Sequence, residues 1–462
     1  MSDSLRDILT DLTGQEPTFV EGLAESADRL FQGGGLGYSQ FNELLLLLGY
    51  DRVSEVFFQF LVGGTVDLHT HASLESLKQF RTGVDNFREL AILRFGNVKF
   101  GFKYFSSLSA DLDAELEAIA PIDPAEYEKR HKALLELRPI PGEKTYFLGY
   151  LVKRQLEDRL EANPQDEDAK KQLEERKTVV ELGRQNHNAY LVSDHLDVYV
   201  ATSMRERHEY LMVNKVVKEV FNSPLLSTLK IRYFDPTQAY CEDRIDKGLA
   251  EGLMLKRAKC TVYLAQESDT LGKDSELAST LAQGKPVIAY IPRVSEDDAP
   301  RYVAELVEMV KQGRPDVGET QLLLEQLRVF DPAAAWKDDE VKKWVADPNQ
   351  VSIDDAKAKL AKRIQEHYDK RAKTLKESHP LGIQVHLETG VAHGVLVART
   401  TEQCAQLIRQ ILTGTLKFNI CAKMVAGNRY LLLKEQLTDS IFRVVTGDRF
   451  LTNAFWNFYL PK

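Results

Sequence analysis

Leu196-Asp197-Val198-Tyr199-Val200-Ala201 is a short run of β-branched and aromatic residues, followed at once by the polar pair Thr202-Ser203. Three runs of the same texture come after it, at 229–234, 261–265 and 286–291. Near-continuous apolar runs of this length read as strands buried on both faces. The segments between them, 205–221, 243–256 and 275–283, carry apolar residues at three- and four-residue spacing, the period of an amphipathic helix. Alternation of this kind implies parallel strands joined by right-handed crossovers. A fifth strand is expected at 327–330, after a helix over 299–312.

The unit spanning 195–335 is therefore expected to be a flavodoxin-like, doubly wound α/β domain. Outward from it, residues 1–140 are α-rich, with Phe41, Leu44, Leu45, Leu48, Val53, Val56, Phe57 and Phe60 at helical spacing. Two prolines in 137–142 (Leu-Arg-Pro-Ile-Pro-Gly) break that pattern. Residues 141–194 are highly charged, interrupted at Asn163-Pro164, and read as two exposed helices forming a spacer. A helical connector is expected over 336–380 and a separate α+β unit over 381–462, with strands at 383–387, 395–398 and 430–433 and a helix capped by Thr400 and Gln403.

A chain of 462 residues, 43% hydrophobic and 28% charged, is a soluble multidomain protein by composition. No apolar run approaches the ~20 residues that span a bilayer, and the start lacks a signal pattern, so a cytoplasmic location without membrane contact is expected. Four scattered cysteines suit a reducing compartment. A net charge of −9 lacks the footprint of a nucleic-acid binder. The one basic stretch, 357–376, is interleaved with acidic residues and reads as a solvated helix face.

Ligands of open parallel sheets bind at the carboxyl ends of the strands, where crossover helices also begin. Topology puts Thr202, Ser203 and Arg205 at that edge. Ser203 and Glu206 form S-x-x-E, which by itself would explain both as a helix cap. Glu276 is expected in the first turn of the next-but-one helix, closed by Gly284-Lys285-Pro286. A first-turn glutamate is also accounted for by the helix dipole alone. Tyr233, ending the second strand, is a candidate to cover a ligand ring, and core packing explains its neighbour Phe234.

Resemblance adds to this reading. Asp197-Val198-Tyr199-Val200 with its polar loop, Glu242-Asp243-Arg244-Ile245, and Glu276 eight residues before Gly284-Lys285 resemble Toll/interleukin-receptor (TIR) domains that cleave NAD. Nucleoside 2-deoxyribosyltransferases share the fold and a similar glutamate before a Gly-Lys-Pro strand entry. The likeness covers about 140 residues and implies NAD or a related nucleotide as substrate, with no other cofactor. It implies Glu276 as the catalytic carboxylate and Thr202, Ser203, Arg205 and Tyr233 as substrate contacts. A central position between two other units is similar to prokaryotic antiviral effectors, and implies a homo-oligomer governed by an activating ligand or protein. The open alternatives are a nucleoside N-glycosidase or deoxyribosyltransferase, and a non-enzymatic nucleotide-binding scaffold.

Other motifs carry less. Asp67-Leu68-His69-Thr70-His71 imitates a metal-binding strand, but it follows Gly63-Gly64 and no barrel supplies further ligands, so no metal is expected. His386, Glu388 and His393 complete no site. Gly33-Gly34-Gly35-Leu36-Gly37 lacks the lysine and serine of a P-loop.

Overall fold

The computed structural model of the chain describes residues 3–13, 17–31, 35–48, 50, 52–53, 55–63, 71–84, 86–87, 137–192, 196–229, 231–267, 270–377, 391–425 and 428–445. The N-terminal helices are α1 (Asp3–Thr13), α2 (Pro17–Leu30), α3 (Tyr38–Leu47), α4 (Glu55–Val62) and α5 (Leu74–Lys78). Their amphipathic faces close on one aromatic core, in which Phe58 meets Phe41 edge-on at 5.3 Å and Phe57 meets Phe80 at 5.9 Å.

The charged stretch that follows forms α6 (Tyr150–Ala162) and α7 (Glu167–Val192). Arg159 bridges the turn between them to Asp166 at 2.8 Å. These helices are less exposed than their charge suggests. Val152, Leu156, Val179 and Val180 are buried against Tyr146, Phe147 and Tyr210.

Strands β1 (Val198–Ala201), β2 (Tyr233–Phe234), β3 (Cys260–Leu264) and β4 (Val287–Tyr290) arise where the apolar runs predicted them. Between them lie α8 (Arg207–Phe221), α9 (Pro224–Ser227), α10 (Arg244–Arg257) and α11 (Leu271–Ala282). Asp243 caps α10 by accepting from the N–H groups of Ile245 and Asp246. Gly284, at φ +69°, ends α11 in the left-handed region that glycine enters without a Cβ penalty. After β4 come α12 (Ala299–Gly313), α13 (Glu319–Phe330), α14 (Ala334–Lys337), α15 (Asp339–Ala346) and α16 (Ile353–Glu377).

The expected fifth strand at 327–330 is not a strand. These residues are the last turn of α13, which buries Leu322, Leu323, Leu327 and Phe330. Their spacing is helical once seen whole, and a four-residue window cut from it imitates a strand. The fifth strand is Leu396–Ala398, which pairs parallel with β4 through Ile288↔Leu396 and Tyr290↔Ala398. Counting β5 (Val391–His393) before it, this strand is β6, and the parallel sheet runs β2-β1-β3-β4-β6. The order 2-1-3-4-5 is that of a doubly wound sheet, with a switch point between β1 and β3. Helix α17 (Thr401–Leu412), capped by Thr400, follows.

Side chains alternate between the two faces as strand geometry requires. Val198, Val200, Val262, Ile288 and Leu396 meet α8 and α17 on one face. Tyr199, Ala201, Tyr263, Ala289 and Val397 meet α10 to α13 and α16 on the other. The residues 391–445 are thus not apart from the sheet: they supply its edge. They also build a four-stranded antiparallel sheet with β7 (Phe418–Val425), β8 (Asn428–Glu435) and β9 (Ile441–Val445), in the order β5-β9-β8-β7. The Val397 N–H donates to Ser440 Oγ at 2.9 Å, joining the two sheets. Gly394 permits the crossover, since a Cβ there would lie 2.6 Å from the Ile441 carbonyl oxygen. The segment 383–387 lies outside the described residues.

Basic residues of α16 are tied to acidic partners: Lys357 to Glu319, Lys359 to Asp338 and Glu340, and Arg363 to Asp331. The opposite side of α16, with Leu360, Ile364 and Tyr368, is core. Among the described residues, no helix is long and apolar enough to cross a membrane.

Candidate functional site

At the carboxyl edge of the sheet, the loops after β1 and β3 are tied together by Gln266. Its Oε1 accepts from Thr202 Oγ1 at 2.8 Å and from the Ser203 N–H at 2.7 Å, and its Nε2 donates to the Ser203 carbonyl at 2.6 Å. Ser203 Oγ lies 3.0 Å from Thr270 Oγ1, and Thr270 is the residue that caps α11. Ser203 therefore fastens β1 to the start of α11. It does not cap α8, as its S-x-x-E pattern suggests: α8 begins at Arg207, and the Glu209 carboxylate accepts from the N–H groups of Arg205 and Glu206. Arg205 extends from the same edge as an exposed side chain.

Helix α11 starts at Leu271, four residues earlier than its sequence suggests. Lys273 is the reason. Its buried ammonium donates to the Leu264 carbonyl at 3.2 Å and lies 4.8 Å from the centre of the Tyr263 ring, so the segment before Ser275 is packed and not a free loop. Glu276 consequently sits in the second turn, not the first, about 9 Å along the axis from Thr270 at 1.5 Å per residue.

This places Glu276 beneath the edge, against β1. Tyr199 Oη donates to Glu276 Oε1 at 2.9 Å. Oε2 is buried and takes no hydrogen bond among the described residues. Burial pushes the carboxyl up to about 8, Glu251 on α10 pushes the same way, and Tyr199, Lys247 and Lys273 pull against them. The neighbouring Glu251 is itself raised, by burial, with Lys247 opposing. Phe234 stacks on Tyr199 at 5.2 Å and Tyr190 closes on Phe234 at 5.0 Å. The Glu276 carboxyl thus has an aromatic floor and one buried acceptor oxygen without a partner among the described residues.

Of the predicted residues, the structure gathers Thr202 and Ser203 at the strand edge with Arg205 outside them, and sets Glu276 a turn deeper. Tyr233 belongs to the other face of the sheet, stacked on Phe221 at 3.7 Å with 6° between the rings. Its partner in the same strand, Phe234, is the one on the Glu276 side. Tyr199, Glu251 and Gln266 escaped sequence reading. Tyr199 alone had a signal: a tyrosine among buried valines needs a partner for its hydroxyl.

A separate opening at the carboxyl edge lies at the ends of β3 and β4, between α8 and α12. It is a cavity of about 440 Å3 that neither Glu276 nor Tyr199 lines. Among the described residues no group of three or more metal-ligating side chains forms, and His69, His386 and Glu388 lie outside them.

No protein-family description, curated protein or solved structure matches this chain.

Proposed function

We propose that the chain hydrolyses the bond between nicotinamide and ribose in NAD, in the manner of the TIR enzymes its sequence resembles, with Glu276 as the catalytic carboxylate. The observation that carries this reading is a buried carboxyl, held by Tyr199 Oη on one oxygen and, among the described residues, unpartnered on the other, beside the switch point of a doubly wound sheet. The C1′–N bond breaks with its electron pair moving to the nicotinamide nitrogen, which leaves neutral. Water then adds to C1′, and its proton is released. Positive charge builds on the sugar, and an ionised Glu276 stabilises it. At pH 7 a carboxyl near 8 is about nine-tenths protonated. A pyridinium ring placed against Oε2 supplies the positive charge that lowers it, so substrate ionises its own catalyst. Arg205, exposed at the edge, is the donor for the diphosphate. Ser203 Oγ shares its hydrogen bond with Thr270 and serves mainly to hold α11 in place.

The raised carboxyl also favours a second reading, a nucleoside N-glycosidase. A neutral nucleoside needs a proton on its leaving base, and a protonated Glu276 at neutral pH can give one. The two readings differ in sign. Incubation of the purified protein with NAD and with a nucleoside panel, followed across pH, separates them. NAD cleavage should gain kcat/KM as pH rises towards about 8, whereas nucleoside cleavage by an acid should lose it there. Release of neither nicotinamide nor a free base at any pH would leave the scaffold reading.

A further inference from the structure

The cavity at the ends of β3 and β4 has its own chemistry. Five carboxylates line it (Glu209, Glu219, Glu267, Asp298 and Glu305) against three cations (Lys215, Arg293 and Arg301). Most are already engaged: Lys215 with Glu305 at 3.2 Å, Arg301 with Asp298 at 2.8 Å, and Glu209 with the backbone ahead of α8. Glu219 and Arg293 are exposed side chains. Glu267 is nearly as buried as Glu209, its side chain being 10% exposed, and among the described residues its ion pair is with His208, at 3.5 Å. Burial lowers His208, but the hydrogen bond and charge of Glu267 raise it on balance, so this carboxylate already draws positive charge to the wall of the cavity.

The remaining walls are aromatic and apolar. Tyr290, Tyr302 and Tyr368 bring three rings to the space, with the Tyr302 and Tyr368 hydroxyls 3.2 Å apart, and Met212 and Met309 supply soft, adaptable surface. Tyrosine faces attract cations through the ring quadrupole, and most strongly where water is excluded. Excess negative charge, two carboxylates of low exposure and aromatic walls together select a positively charged ligand with an apolar body. A volume of about 440 Å3 suits a small molecule and excludes a peptide helix.

We propose that this cavity is a second ligand site, which binds a compact organic cation through the Glu267 carboxylate and the Tyr290, Tyr302 and Tyr368 rings. The site lies apart from Glu276 and depends on the cavity alone, so failure of the proposed NAD chemistry leaves it standing. Its position suits control: α8 and α12 form its sides, and α8 begins directly after the Thr202-Ser203 loop, so a ligand between the helices bears on the strand edge.

Calorimetric titration with 1-methylnicotinamide, a stable pyridinium cation, tests the assignment against neutral nicotinamide, with tetramethylammonium as a non-aromatic cation. At least one cation should bind, and nicotinamide should bind at least tenfold more weakly than 1-methylnicotinamide. Because the proposed function also sets a pyridinium against Glu276, the titrations use Glu276→Gln, in which binding in the cavity should persist; Glu267→Gln added to it should weaken the cation tenfold or more. Since loss of the His208 partner could disturb folding, Met309→Trp, which fills the space from α12, should abolish binding in a protein with an unchanged melting profile. Absence of binding by both cations, equal binding of neutral nicotinamide, or binding that survives Met309→Trp in the Glu276→Gln protein would each overturn the proposal. So would loss of binding in folded Glu276→Gln.

Discussion

Glu276 concentrates the consequences of a single buried carboxyl. Glu276→Gln keeps the shape and the bond from Tyr199 Oη while removing the charge, so NAD cleavage should fall by at least a hundredfold, measured as nicotinamide release. The same change should stabilise the fold in alkali. A carboxyl raised from 4.5 to about 8 holds its proton more tightly folded than unfolded, so stability declines as pH rises through that window. Above pH 8 the variant should be more stable than the parent by roughly 1–3 kcal/mol in urea titrations, and at pH 4 the two should coincide. An unchanged difference across pH would show that burial does not shift this group. Tyr199→Phe removes a donor that favours the ionised form, so the rising limb of kcat/KM for NAD should move to higher pH by about half a unit or more. A limb that stays put would demote Tyr199 to packing.

Among the elements, β6 has the most telling origin. It contributes the fifth parallel strand from a segment more than 100 residues beyond β4 along the chain. Without it β4 becomes an unpaired edge, and buried Ile288 loses Leu396 beside it. A chain of residues 137–377 should therefore fail to protect the β4 amides in hydrogen exchange, whereas residues 137–445 should protect them. Equal protection in both would show that the first four strands fold alone. The start of α8 carries a second lesson, because Glu209 and not Ser203 takes up backbone N–H groups there, those of Arg205 and Glu206 just ahead of the helix. Helix periodicity over 205–221 was legible; the identity of the cap was not. S-x-x-E occurs at Ser203 and E-x-x-E at Glu206, and only the pull of Gln266 and Thr270 on Ser203 decides between them.

Across the whole molecule, an exposed apolar stripe adjoins the Glu276 side of the sheet. Ile245, Leu249 and Leu253 recur every fourth residue along α10 and are 74%, 69% and 39% exposed, and Leu271 at the start of α11 is 89% exposed. Side chains of this size at helical spacing form a continuous surface, which suits burial against another apolar face. We expect a second copy of the chain to cover it and to complete the enclosure of Glu276, so that specific activity rises with protein concentration. Leu249→Asp combined with Leu271→Asp should keep the melting profile, hold the protein as a monomer in light scattering, and remove the concentration dependence. Constant specific activity across a wide dilution range, with a monomer throughout, would defeat this expectation.

What the amino-acid sequence determined by itself was local: four of the five parallel strands, the helices between them, the stop of α11 at Gly284 and the α-rich N-terminal region. These follow from periodicity and from glycine and proline stops, which act over a few residues. The tripeptide Phe-Asp-Pro shows the limit. At Phe234 it ends a strand and Asp235 caps the next turn, whereas at Phe330 it ends a helix. Tertiary structure alone decided which segment closes the sheet, that Phe234 and not Tyr233 shares the face of Glu276, that Tyr199 meets Glu276, and that Glu267 meets His208 across 59 positions of chain. Each of these depends on long-range packing that brings distant side chains within a few ångströms, and no local pattern encodes the partner at the far end.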